Sequence, residues 1–329
     1  MAQFDLPLAE LQTYRPDIEE PADFDAFWQD TLAEAAAHDI DATFEPYTEL
    51  RLPATDVFDV TFCGFGGQKV RGWLLIPTIT EAPVPCVVSY VGYGGGRSLP
   101  IAHTWATAAG FAHFVMDSRG QGSQWSPGDT PDDYPAGGPQ AAGFVTRGIE
   151  SPQTYYYRRL MTDAVRAIDA AAAHPKIDTT RLAVAGGSQG GVLALAAAAL
   201  TDRKLAAAIV DVPFLCHLER AVTITDQLPY AELVKYLSCH RNKVTQAFNT
   251  LAYFDGCNFA KRLTVDCFFS VALMDQICPP STVFAAYNQI EKAKKHIDVF
   301  PFNGHEGGDV FQLTRRVQRL QDCLGIEKS

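Results

Sequence analysis

The sequence predicts an α/β protein: a mostly parallel, doubly wound sheet flanked by helices, with a helical cap inserted after its middle strands. Three observations carry that expectation. Short apolar runs at 86–91, 111–116, 181–185, 206–210, 265–273 and 296–301 alternate with amphipathic or alanine-rich stretches of helical length. Strands separated by helices pair in parallel through right-handed crossovers. The rhythm breaks once, at 212–260, where aromatic and charged residues replace any strand signal.

Taken in order, residues 21–38 read as an amphipathic helix ahead of the main fold. Residues 57–65 alternate apolar and polar side chains, and 69–76 pair with them as an antiparallel hairpin. The core follows: strand 86–91, helix 101–109, strand 111–116, a long helix 154–173, strand 181–185, helix 189–200 and strand 206–210. After the interruption come strand 265–273, helix 280–294, strand 296–301 and helix 308–324. The expectation is one domain over 1–329, with a helical and hairpin extension over about 1–80 and the cap over about 212–260. The cap would cover the carboxyl ends of the strands, where such sheets bind ligands.

Bulk properties narrow the partners. The chain has 329 residues, 47% hydrophobic and 20% charged, and its 38 acidic against 27 basic residues give a net charge of −11. No block of Lys or Arg offers a phosphate-binding face, so nucleic acid is not an expected partner. Residues 1–20 are acidic and contain proline, unlike a secretory signal, and the longest apolar run, 192–200, falls far short of a membrane span. The cysteines (Cys63, Cys86, Cys216, Cys239, Cys257, Cys267, Cys278 and Cys323) include no C-x-x-C pair, and several fall inside apparent core strands. Buried free thiols in a cytoplasmic protein are expected, with no metal site.

The most informative segment is Gly186-Gly187-Ser188-Gln189-Gly190, a G-x-S-x-G pattern between a short apolar strand and an alanine-rich helix. Flanking glycines permit a sharp turn that exposes the serine hydroxyl at a helix N-terminus, where free N–H groups and the helix dipole favour developing negative charge. Ser188 is therefore the candidate nucleophile.

A serine needs a base, and the base needs a carboxylate to fix its tautomer. In α/β-hydrolase order the acid follows the serine and the histidine comes last. Of the histidines after Ser188, His305 lies in a loop directly after the last strand; His296 begins that strand at the wrong edge, and His217 and His240 fall in the cap. For the acid, Asp275 follows strand 265–273 and precedes Pro279-Pro280, which start the next helix; Asp211 is the competitor. The oxyanion donors expected are the Gln189 backbone N–H and a group from the glycine-rich loop 91–96, where Tyr93 offers its backbone N–H or its hydroxyl. That loop lacks the Lys-Ser/Thr ending of a phosphate-binding loop. Arg119, in the run Arg119-Gly120-Gln121, reads as a structural tie between neighbouring loops.

Together, Arg119-Gly120-Gln121, Gly186-Gly187-Ser188-Gln189-Gly190 and His305-Glu306 resemble the three signatures of carbohydrate esterase family 7, the acetyl xylan esterase and cephalosporin-C deacetylase group. Segments Gly148-Ile149 to Asp163-Ala164-Val165-Arg166-Ala167 and Asp275 to Tyr287-Asn288 are similar to the family's long helix and acid-bearing segment, so the resemblance covers about 1–320. It implies a Ser188–His305–Asp275 triad, an oxyanion hole from Tyr93 and Gln189, and deacetylation of small substrates such as acetylated xylo-oligosaccharides or cephalosporin C. It further implies an intracellular, hexameric enzyme with no cofactor. Asp211-Val212-Pro213-Phe214-Leu215 resembles the region walling the acyl pocket; Pro213 and Phe214 fall there, and a phenylalanine would fit acetyl and crowd longer chains, while Phe214 reads equally well as plain core. Val91 departs from the family, whose oxyanion loop often carries histidine there. Two other readings share parts of the pattern. A prolyl-oligopeptidase-like serine peptidase has the same triad order but usually a large N-terminal propeller, for which residues 1–80 leave no room. A non-catalytic α/β-hydrolase scaffold would usually have lost a triad member, and all three are in place.

Overall fold

The computed structural model describes residues 3–79, 83–132 and 143–326. Its strands are β1 (Thr43–Pro46), β2 (Thr55–Cys63), β3 (Lys69–Pro77), β4 (Val84–Tyr90), β5 (Ala112–Met116), β6 (Ile177–Gly187), β7 (Ala207–Asp211), β8 (Cys267–Ala272) and β9 (Lys295–Phe300). The helices are α1 (Leu8–Leu11), α2 (Phe24–Ala36), α3 (Trp105–Ala108), α4 (Tyr156–Ala172), α5 (Gln189–Leu200), α6 (Leu218–Ile224), α7 (Tyr230–Cys239), α8 (Val244–Leu251), α9 (Gly256–Ala260), α10 (Pro280–Gln289) and α11 (Asp309–Leu324).

Among the described residues the strands form one sheet in the order β1-β2-β3-β5-β4-β6-β7-β8-β9. From β5 to β9 every pairing is parallel, as the alternation of strands and helices requires. The other edge is antiparallel. The hairpin expected from 57–65 and 69–76 forms as β2 and β3, but it continues the main sheet, because Gly72–Leu75 of β3 pair with residues 113–116 of β5.

Strand alternation divides the core between two faces. Cys86, Val88 and Tyr90 of β4 and Leu182 and Val184 of β6 face the large cluster that contains α4 and α5. Val87, Ala183 and Ala185 face the opposite cluster, with Phe111 and with Leu320 and Leu324 of α11. Helix α5 is apolar on all sides because it is covered on all sides: Gln189 to Ala197 are buried.

The segment between β7 and β8 is helical, as expected, but it divides in two. Its first half reaches the strand ends, where Leu228 and Pro229 border the cavity described below. Its second half joins the core: Phe254 and Phe259 are fully buried and pack edge-on against Trp28 of α2 at ring distances of 5.5 and 5.4 Å. The helix expected over 101–109 is shorter, a 3-10 turn from Pro100 to His103 followed by the single turn α3.

Candidate active site

Ser188 sits at the junction of β6 and α5 with φ 58° and ψ −120°, a left-handed backbone that a non-glycine residue rarely adopts. Hydrogen bonds clamp it there: the Ser188 N–H donates to the Asp211 carbonyl at 2.9 Å, and its own carbonyl accepts from Phe214 N–H at 3.0 Å. Close approach explains two of the motif glycines. A Cβ on Gly186 would lie 2.1 Å from the Gly190 carbonyl oxygen, and one on Gly190 would lie 2.1 Å from that of Tyr90.

Asp275 and His305 meet across the turns that follow β8 and β9. His305 Nδ1 donates to Asp275 Oδ2 at 2.8 Å, while Asp275 Oδ1 accepts from the Ile277 and Cys278 N–H groups at 2.8 and 2.9 Å. The carboxyl is wholly buried and the imidazole 26% exposed. The second imidazole nitrogen is thereby left as the basic one. Of the competitors, His296 pairs with Asp298 at the start of β9, and His217 lies beside Tyr14. Asp211 is bound to Gln312 and Arg316.

Cys278 is the member of this cluster that sequence reasoning missed. Its sulfur lies within 4.8 Å of ligand atoms of both Asp275 and His305. Burial pushes the thiol well above its ordinary range, Asp275 and Cys216 add to this, and the Ser188 hydroxyl opposes it. Among the described residues no hydrogen bond joins Ser188 to His305; such bonds are often long before substrate binds. The three side chains have metal-ligand chemistry, but both Asp275 oxygens are already engaged and the thiol is held protonated, which does not suit a bound cation.

The loop after β4 supplies the facing wall. Among the described residues, the backbone N–H groups of Tyr93 and Gln189 form no hydrogen bond, so both remain able to donate. The Tyr93 hydroxyl is not free: it donates to Glu232 Oε2 at 2.6 Å and accepts from Phe144 N–H at 2.9 Å. Of the two Tyr93 donors expected from sequence, only the backbone N–H is therefore unengaged. Gln121 bridges this loop and the elbow. Its Oε1 accepts from Gly94 N–H at 2.7 Å, and its Nε2 donates to Gln189 Oε1 at 2.8 Å. Arg119 lies one layer deeper, where it grips Asp163 through two bonds of 2.5 and 2.7 Å and Gln68 through one of 2.7 Å. Between them, Gly120 takes φ 69°.

Ser188 and His305 line a cavity of about 570 Å³ together with Trp125, Leu228, Pro229 and Ile277. Val91 also lines it. The acyl-pocket assignment of Pro213 and Phe214 needs correction: neither borders this cavity. Phe214 is fully buried and packs behind Tyr93, at a ring distance of 6.0 Å, and against Tyr230 at 4.6 Å. The physical reason is local: Val212 and Leu215 both have positive φ, which turns the intervening chain inward.

A mostly parallel sheet with a serine on a strand–helix elbow, and a carboxylate-bound histidine after the last strand, defines the α/β-hydrolase fold. Residues 1–323 match the model of the acetyl xylan esterase (AXE1) family, and the chain belongs to that family of carboxylic ester hydrolases, carbohydrate esterase family 7. Among solved structures it is similar to an acetyl xylan esterase from Paenibacillus sp. R4 (36% identity, TM-score 0.89, covering 96% of this chain and 99% of that one). It is similar also to acetyl xylan esterase 1 from Thermoanaerobacterium sp. JW/SL YS485 (31% identity, TM-score 0.87, covering 97% and 99%). A curated relative, acetyl esterase Axe7A of Xylanibacter ruminicola, is 27% identical over 303 residues; the match covers 88% of this chain and 65% of that protein.

Proposed function

We propose that this protein is a serine esterase that removes acetyl groups from small acetylated alcohols through an acyl-enzyme. The observation that carries the reading is that Ser188 on its elbow, Tyr93 and the Asp275-bound His305 line one cavity, with the N–H groups of Tyr93 and of Gln189, next to Ser188, unengaged among the described residues. Family membership supports the same chemistry.

In the proposed reaction Ser188 Oγ attacks the ester carbonyl carbon as its proton passes to His305 Nε2. The carbonyl oxygen becomes an oxyanion held by the Tyr93 and Gln189 N–H groups, at the N-terminus of α5. Collapse breaks the ester bond, and the alcohol leaves with the proton from Nε2. Water then gives a proton to Nε2 and attacks the acetyl-serine, and acetate departs as Ser188 recovers its proton. Asp275 stays ionised, keeps the imidazole in one tautomer and stabilises its cationic form. Acetylated xylo-oligosaccharides and cephalosporin C-like esters are the substrates we favour, on the strength of the family and the cavity's limited size.

We further infer a cytoplasmic homo-oligomer, a hexamer by family resemblance. The cysteines are free and six of them are buried, which fits a reducing compartment. Trp125 and Leu228, which line the cavity, and Phe302 and Phe311, on either side of His305 in sequence, are exposed apolar side chains of the kind that subunit contacts cover.

The test is hydrolysis of p-nitrophenyl acetate, butyrate and octanoate by wild type beside Ser188→Ala. The expected outcome is a strong preference for acetate, with kcat lowered by several orders of magnitude in the variant. Near-normal turnover by a clean Ser188→Ala preparation would refute the mechanism; a preference for octanoate would refute the acetyl assignment.

A further inference from the structure

The loop 92–96 reads Gly-Tyr-Gly-Gly-Gly, so Tyr93 is its one side chain through which packing can fix the backbone. That side chain is held from several directions. Its ring lies between Phe144 and Phe214, at 5.7 and 6.0 Å. Its hydroxyl accepts from the Phe144 N–H and donates to Glu232 at 2.6 Å. Its carbonyl accepts from Trp125 Nε1 at 2.8 Å.

Glu232 belongs to α7, far from the loop in sequence. Burial raises its carboxyl above the ordinary range, opposed by the Tyr93 hydroxyl and the N–H groups of Gly143 and Val145. Among the described residues its second oxygen, Oε1, is buried without a partner. The same turn also reaches the substrate cavity: the Glu232 N–H donates to the Pro229 carbonyl at 3.1 Å, and Leu228 and Pro229 line that cavity.

We propose that Glu232 is a positioning residue for the reaction: by gripping the Tyr93 hydroxyl it sets the Tyr93 N–H where the oxyanion forms, coupling the turn that lines the cavity to the oxyanion hole. This rests on the esterase reading above. A donor displaced by about 1 Å can cost on the order of a hundredfold in rate. Such a loss falls on kcat, because the donor serves the transition state more than bound substrate.

The experiment compares Glu232→Ala, Glu232→Gln, Tyr93→Phe and the Glu232→Ala/Tyr93→Phe double variant on p-nitrophenyl acetate, with Ser188→Ala alongside and thermal unfolding followed by circular dichroism. Tyr93→Phe keeps the packed ring, so it decides the question even if Glu232→Ala does not fold. Expected are a loss of about tenfold or more in kcat for Glu232→Ala and Tyr93→Phe, KM within about twofold, and a double variant no worse than the poorer single. Glu232→Gln, which still accepts from the phenol, should recover most of the rate. Unchanged kcat in folded Tyr93→Phe, losses that multiply in the double variant, or an effect confined to KM would overturn the proposal. Activity surviving in Ser188→Ala would instead sink the esterase reading, and the proposal with it.

Discussion

Ser188 and His305 share their cavity with a second serine–histidine pair, Ser89 on β4 and His113 on β5. His113 Nε2 lies 2.8 Å from Ser89 Oγ, and its Nδ1 lies 2.9 Å from the His103 carbonyl oxygen. Because a carbonyl only accepts, Nδ1 carries the proton, and Ser89 donates to a neutral Nε2. On paper this is a serine hydroxyl aimed at an oriented imidazole, the same arrangement a nucleophile needs.

What differs is the third group and the surroundings. His305 is partly exposed and backed by the Asp275 carboxylate, which can balance an imidazolium. His113 is 1% exposed and backed by a neutral carbonyl; burial, with His103 and Arg316 nearby, pushes its pKa down to about 3. A base of that strength cannot hold a serine's proton at neutral pH. Ser89 also sits within a regular strand, while Ser188 stands at a helix N-terminus beside two unengaged N–H donors. The contrast teaches that a serine–histidine contact is not itself a catalytic site. In the proposed mechanism the orienting carboxylate, solvent access and oxyanion donors make it one.

The comparison breaks most visibly at Asp275. Asp275→Asn keeps the shape but removes the charge and permits the wrong tautomer, so kcat at neutral pH should fall by about 10³- to 10⁴-fold. Steady-state rates on p-nitrophenyl acetate would check this; a loss within about tenfold would mean that the carboxylate is not what separates the two pairs.

A smaller effect sharpens the other side. With its pKa depressed in the folded state from 6.5 to about 3, His113 stays neutral as pH falls while the unfolded chain takes up a proton. Stability from this group is therefore present above pH 6.5 and is lost on acidification towards pH 3, at about 1.4 kcal/mol per pH unit. His113→Gln should flatten the acid limb of stability between pH 6 and 4, read from urea midpoints across that range. An unchanged slope would show that His113 is not buried as a neutral group.

Legibility followed the range of the interaction. The elbow is local: strand, glycine turn and helix all lie within 181–200, and Ser188 could be picked out from them. The Asp275–His305 contact was legible through strand order, since each residue follows a parallel strand at the same sheet edge. The Glu232–Tyr93 bond joins residues 139 apart, one of them in a segment with no clear period, and nothing local marks it. Cys278 looked like another core thiol because the turn that brings it against Ser188 is set by Asp275's hydrogen bonds to the backbone. Phe214 reads from sequence as pocket wall or as core; it is core, and the positive φ at Val212 and Leu215 that accompanies this has no glycine to announce it. Even the elbow held one surprise: a Cβ on Gly187 would meet nothing closer than 3.9 Å, so the steric need rests on Gly186 and Gly190.

The most direct measurement of the central claim is covalent: active enzyme treated with a fluorophosphonate, digested and mapped by mass spectrometry, with and without an acetyl ester as competitor. One adduct is expected, on the peptide containing Ser188, suppressed by the ester in step with the loss of activity. An adduct on Ser89, or full inactivation with Ser188 unmodified, would contradict it.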